Sequence, residues 1–249
     1  DAIPALLWPE DVSADRFEKR STLLHVLDGL GSKTPSTDEL SALRERAVVL
    51  TGATNRGGLD IFSLGKDSEK VRERYGEKAF RVRYQDCNKT YGPQGHPGRS
   101  LLQARRLVEA GVSVVTYAMA GYDTHRYNFE VLNAMLPPLD QAVSALLLDL
   151  EERGMIDDVV VMMGGEFGRT PRIGDVTPDG RSHWPAAGFL WLAGGGLKTG
   201  QVIGSTDARG ERVTGPRLGL QNVLATIYRL LGIDAAMTFP DFNGRPQYV

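Results

Sequence analysis

"DDVVVMMGGEFGRTPRIGDVTPDGRSHWPAAGFLWLAGGG", Asp157 to Gly196, is the stretch on which the fold class turns. It begins with an apolar, valine-rich run of strand length, "DDVVVMM", and closes on a second, "AAGFLWLA", with a polar loop rich in Gly and Pro between them. Upstream, "GRSLLQARRLVEAG" has helical spacing and closes at Gly111, and "VSVVTYAM" then reads as another buried strand feeding the loop "AGYDTHRYN". A second helix is expected from Pro138 to Arg153, opening on a proline whose missing N–H costs nothing in the first turn and stopping at Gly154. Helix, strand, helix, strand with short connections predicts an α/β fold over residues 98–249, a mainly parallel sheet sandwiched by helices. In such sheets ligands collect at the carboxyl ends of strands, where both polar loops fall. A last helix is expected in "RLGLQNVLATIYRLLG".

Ahead of Gly98 no segment alternates like a strand. "SADRFEKRSTLLHVLDGL" reads as an amphipathic helix behind a Ser13 cap, "TDELSALRERAVVLTGA" as a second, and "DSEKVRERYG" as a shorter third ending at Gly76. Residues 81–98 have the Gly, Pro and Asn density of a loop. Residues 1–97 are therefore expected as a mostly helical segment and loop packed on the core. The chain opens at Asp1 with neither an initiator Met nor a signal peptide and reads as a fragment or processed form.

With 41% hydrophobic and 24% charged residues and a formal net charge of −2, the chain can bury a core but offers no long-range field for nucleic acid or an anionic membrane. No apolar run approaches the roughly 20 residues of a membrane span. The single cysteine, Cys87, has neither a disulfide partner nor a local base. "GGGLKTG" lacks a phosphate-loop ending, and "GGEFG" is not a nucleophile elbow. A small-molecule ligand is the remaining default.

Histidine is scarce, four in all, and two of the four lie beside acids in the strand-end loops: His125 after Asp123, and His183 in the loop that begins with Glu166. Two carboxylates and two imidazoles drawn from neighbouring strand ends make a mixed oxygen and nitrogen set suited to Zn²⁺ or Mn²⁺; Mg²⁺ or Ca²⁺ would prefer fewer imidazoles. A lone Asp-x-His also reads as a turn acid beside a partly exposed histidine. Arg169, Arg172 and Arg181 flank the set, and guanidinium forks suit the oxyanions of phosphate or sulfate esters, Arg169 above the others. The alternative for each is a solvated loop charge pairing with Asp175 or Asp179. Trp184 and Trp191 read as core or lid packing.

"GYDTH", "GGEFGRTPRI", "GRSHWP", "LAGGGLKTGQVIGSTD" and "LATIYRLLGID", in that order, resemble a bacterial sulfatase-like family of unknown function, abundant in planctomycetes, within the alkaline-phosphatase-like superfamily. The resemblance implies an alkaline-phosphatase-like core, an exported protein and metal-dependent hydrolysis of a sulfate or phosphate ester. It also implies metal ligation by Asp123, His125, Glu166 and His183, with Arg169 and Arg181 on the anion. Ser182 stands where that family carries aspartate, and no Cys/Ser-x-Pro-x-Arg signature is present, so no nucleophile is identified. Two other functions are kept beside hydrolysis: a non-catalytic binding or scaffold protein with a degenerate centre, and a mutase or transferase on the same core.

Overall fold

The computed structural model describes residues 12–30, 62–76 and 95–248. The helix expected over Thr37–Ala53, most of the 81–98 loop and Cys87 lie outside the described residues. The chain divides into two compact units, one from Asp1–Glu77 with Gly98–Tyr117, the other from Lys78–Pro97 with Ala118–Val249.

In the first unit, helix α1 spans Ala14–Leu30, and the Ser13 hydroxyl accepts from Arg16 N at 3.3 Å, as its cap position predicts. Leu23, Leu24 and Val26 on it are exposed. Helix α2, Glu69–Tyr75, is capped by the Ser68 hydroxyl on Val71 N and closed by Gly76 at φ 88°, a conformation that favours glycine. Helix α3, Pro97–Glu109, ends through Val112 N donating to the Leu107 carbonyl across Gly111. Gly98 lets it meet α2: a Cβ there would lie 1.9 Å from the Gly76 carbonyl oxygen. Asp67 accepts from Arg105 at 2.5 Å and from Arg106 at 2.7 Å, and Arg105 also reaches Glu109. Burial pushes the Asp67 carboxyl up, but the hydrogen bonds from Arg106 and Arg105, with their charges, outweigh it and hold it below its ordinary value.

In the second unit, helix α4 runs from Asn128 to Glu152, ten residues earlier than the proline signal places its start. Pro137 and Pro138 lie inside it. Each removes a backbone donor, yet the helix continues because Val131 and Met135 before them and Ala142, Ala145, Leu146 and Leu150 after them bury one face. By length and composition alone α4 is the one described helix able to cross a bilayer; its buried face and prolines read equally as a core helix. Met119, Tyr122 and Tyr127 pack on Val131 and Met135, fixing the preceding loop against its first turns.

The strands differ from expectation. Strand β1 (Val160–Gly164) lies in "DDVVVMM" as predicted, and β4 (Leu190–Gly194) overlaps "AAGFLWLA", but the two pair antiparallel, Met162 opposite Leu192. Between them β2 (Gly168–Arg169) pairs antiparallel with β3 (His183–Trp184). Further on, β5 (Ser205–Thr206) pairs with β6 (Val213–Thr214), helix α5 spans Leu220–Leu230, and β7 (Thr238–Pro240) pairs with β8 (Pro246–Tyr248). All four ladders among the described residues are antiparallel and two-stranded, and no parallel sheet is seen among them. Val112–Met119 makes no ladder there, and Val114 is exposed. The physical reason lies in the connection: β1 and β4 are joined by a loop that folds back on itself through β2 and β3, whereas a parallel pair needs a crossover.

Candidate metal centre

The centre is built from two loops of the second unit. Tyr122–Tyr127 is the turn ahead of α4. Thr124 N contacts the Tyr122 carbonyl at 2.8 Å and His125 N the Asp123 carbonyl at 3.0 Å, so the segment is tightly coiled rather than extended. Thr124, between the two candidate ligands, is buried and donates to Asn128 Oδ1 at 2.5 Å. Tyr127 holds a left-handed φ of 50°, an uncommon conformation for a side chain that size, and turns the chain into α4.

The second loop, residues 170–182, leaves β2 and returns in β3. Gly174 N and Asp175 N both donate to the Gly180 carbonyl, and Gly180 N donates to Thr177 O, closing a compact turn. That turn is stapled to α4: the Thr177 hydroxyl accepts from Tyr127 N at 3.0 Å and Asp179 from Phe129 N at 3.4 Å. Tyr127 has no side-chain cap of its own, so a loop 50 residues away supplies acceptors for the helix start. Arg181 N donates to Thr124 O at 3.1 Å, a main-chain link between the loops. Gly180 is required there, because a Cβ would sit 1.9 Å from the His125 carbonyl oxygen.

Arg169 and His183 are directly opposite in the β2–β3 pair, so both side chains leave the same face, toward Asp123. His183 Nε2 lies 3.0 Å from Asp123 Oδ1 and 3.0 Å from His125 Nε2, and His125 Nε2 lies 3.1 Å from the same carboxylate oxygen. A tetrahedral ion about 2.1 Å from each donor would separate them by roughly 3.4 Å, so the triangle needs to open by only a few tenths of an ångström. Phe167 packs against the His183 ring, centroids 4.7 Å apart. Asp123 is 70% exposed and His183 47%, so solvent and small molecules reach the cluster.

Of the residues expected to bind metal, Asp123, His125 and His183 come together, and Glu166 is exposed and stands outside the cluster. The two arginines expected on an anion are turned to the protein instead. Arg169 donates to Asp123, to Tyr122 O at 3.0 Å and to Arg181 O at 3.3 Å; Arg181 donates to Thr170 O at 2.6 Å. Hydrogen bonds from Arg169 and then His183 hold the Asp123 carboxyl down at about 2. Ser182 contributes main-chain bonds to Thr170. Sequence reasoning missed Asp175, whose Oδ2 accepts from His125 Nδ1 at 2.7 Å; with 50 residues between them, no spacing signal existed.

A family model described as "Protein of unknown function (DUF1501)" matches residues 1–249. The chain belongs to the DUF1501 family. No curated protein and no solved structure matches it. The sulfatase-like, alkaline-phosphatase-like resemblance is thereby corrected, because the DUF1501 match accounts for the full length and carries no link to that superfamily. The motifs behind it are short segments, and short segments that bring metal-type side chains together recur on unrelated folds. The function of this DUF1501 chain has to be argued from the site itself.

Proposed function

We propose that this DUF1501 protein holds one divalent ion, Zn²⁺ or Mn²⁺, on Asp123, His125 and His183, and hydrolyses a small sulfate or phosphate ester there. The observation that carries the reading is the convergence of three donor atoms from two separate loops to within 3.0–3.1 Å of one another. Two imidazoles and one carboxylate suit a borderline-soft ion, and three protein ligands leave a coordination position for a reactant. The anionic substrate follows from charge. Arg169 offsets Asp123 and Asp175 adds one carboxylate behind His125, so a divalent ion would leave the site with a net positive charge that favours an ester carrying negative charge.

A divalent ion supplies two things at such a site: it polarises an ester oxygen and acidifies a water molecule. Water adds to the sulfur or phosphorus, the ester oxygen leaves with its electron pair, and a proton from that water ends on the departing alcohol. The residues of this chain hold the geometry: Arg169 orients Asp123, and β2–β3 present His183. Thr124 is excluded as a nucleophile by its burial and its bond to Asn128.

A second reading is a metal-binding or scaffold protein without turnover. The engagement of Arg169 and Arg181 with protein oxygens favours it, since neither guanidinium is aimed at an open anion site. Zinc and manganese titration of wild type and His125→Ala, followed by 4-nitrophenyl phosphate and sulfate assays, separates the two. Metal-dependent turnover lost in the variant supports hydrolysis. Tight metal binding without turnover leaves a metal-binding protein, and no binding to wild type ends the hydrolase reading and leaves a scaffold with a degenerate centre.

A further inference from the structure

We infer that Asp175 is a positioning residue that makes His125 the pre-organised anchor of the metal centre, by holding its proton on Nδ1 and its lone pair on Nε2. This rests on the metal reading above and assigns a role to a residue outside the ligand set.

An imidazole binds a metal through a nitrogen that carries no proton, so the neutral ring must keep its proton on the other one. At His125 the two nitrogens face different partners. Nδ1 meets Asp175 Oδ2 at 2.7 Å, and a carboxylate only accepts, so Nδ1 is the protonated donor. Nε2 is then the nitrogen with the lone pair; it lies 3.0 Å from His183 Nε2, from which it can accept, and 3.1 Å from Asp123 Oδ1, with which it makes no hydrogen bond. A carboxylate behind a ligating histidine is the arrangement by which proteins fix ring orientation and raise ligand basicity.

His183 differs. Its Nε2 lies 3.0 Å from Asp123 Oδ1, a contact that needs a proton on that nitrogen, and among the described residues no hydrogen bond holds a proton on its Nδ1. On this assignment His125 presents a lone pair to the cluster from Nε2, whereas the Nε2 of His183 is engaged as a donor to Asp123.

An exposed Asp–His pair can also be incidental, each partner at about one-third exposure contributing little. The loop argues against this. Asp175 sits in the turn closed by Gly174 N, Asp175 N and Gly180 N, and Thr177 of that turn is bonded to Tyr127 N, two residues beyond His125. The loop that carries the carboxylate is thus tied by hydrogen bonds to the turn that carries the ring.

The test is imidazole nitrogen–proton correlation NMR on the metal-free protein, with zinc affinity by competition against a chromophoric chelator, for wild type, Asp175→Ala and Asp175→Asn. Thermal unfolding is followed for each, and Asp175→Asn keeps the shape of the loop if Asp175→Ala does not fold. The expected result is an Nδ1–H tautomer for His125 in wild type, lost in the variants, with zinc affinity down 10- to 100-fold. Wild-type zinc binding with unchanged affinity in folded variants overturns the inference and leaves the metal centre standing. A wild-type His125 that is protonated on Nε2 alone also overturns it. A wild type that binds no zinc at all overturns the metal reading, and the anchor role with it.

Discussion

Replacing Gly180 by alanine tests the architecture of the centre without touching a ligand. The new Cβ would stand 1.9 Å from the His125 carbonyl oxygen and 2.8 Å from its carbon, while ordinary contact begins at 3.4 Å. Both obstructing atoms are backbone, so relief requires the two loops to part by about 1.5 Å rather than one side chain to rotate. Arg181 N to Thr124 O, at 3.1 Å, is the main-chain bond across that gap and breaks first. His183, two residues on, moves with it, and a shift of that size exceeds the roughly 0.2 Å tolerance of metal–ligand distances several-fold. The expected outcome is a zinc affinity lower by about 100-fold or more, with a stability loss of about 1–3 kcal/mol. The matched control is Gly165→Ala, where an added Cβ meets nothing within 4 Å. Calorimetric zinc titration and urea unfolding read both quantities. A folded Gly180→Ala protein that binds zinc within twofold of wild type would refute the claim that this close approach sets the ligand geometry.

Further outcomes are expected of three other sites. Asp67→Asn removes one of the two carboxylates that the Arg105 guanidinium, 2% exposed, meets among the described residues, and should cost about 3 kcal/mol in urea unfolding at neutral pH; a loss under 1 kcal/mol would sink the argument. Because the folded Asp67 carboxyl is held below its ordinary value, the stability it contributes is present above about pH 4 and lost as the pH falls further, so wild type and variant should converge in acid. Arg169→Gln removes the largest influence on Asp123, and carboxyl carbon NMR should show that group titrating well above its wild-type value of about 2; no change would mean that Arg169 does not hold the ligand. Asp179→Ala removes an acceptor for Phe129 N at the start of α4 and should destabilise the protein by about 1 kcal/mol, with a larger effect expected in Asp179→Ala/Thr177→Ala, as thermal unfolding will show.

The loop between Glu166 and His183 shows how far local signals reach. Its acids, arginines and one histidine suggested an ion with an anion clamp or, for the arginines, solvated charges paired with Asp175 or Asp179, and the structure divides the same residues among several tasks. His183 joins Asp123 and His125, Asp175 turns to His125, Asp179 and Thr177 cap a helix, and Arg169 and Arg181 brace the backbone. Glu166 had the right chemistry and the wrong place.

What the sequence determined by itself is what short-range physics controls. Ser13 as a cap, Gly76 and Gly111 as helix stops, and the positions of β1 and β4 follow from hydrogen bonding and hydrophobic period within a few residues. Tertiary structure decided the rest. Two apolar runs look the same whether they pair parallel or antiparallel, because side-chain period is blind to strand direction, and the prolines of α4 lie inside the helix only because burial on both sides outweighs two lost donors. The pairing of Asp175 with His125 is of the same kind: a contact across 50 residues exists only once the loop has closed on α4 and Gly180 has let the backbones touch.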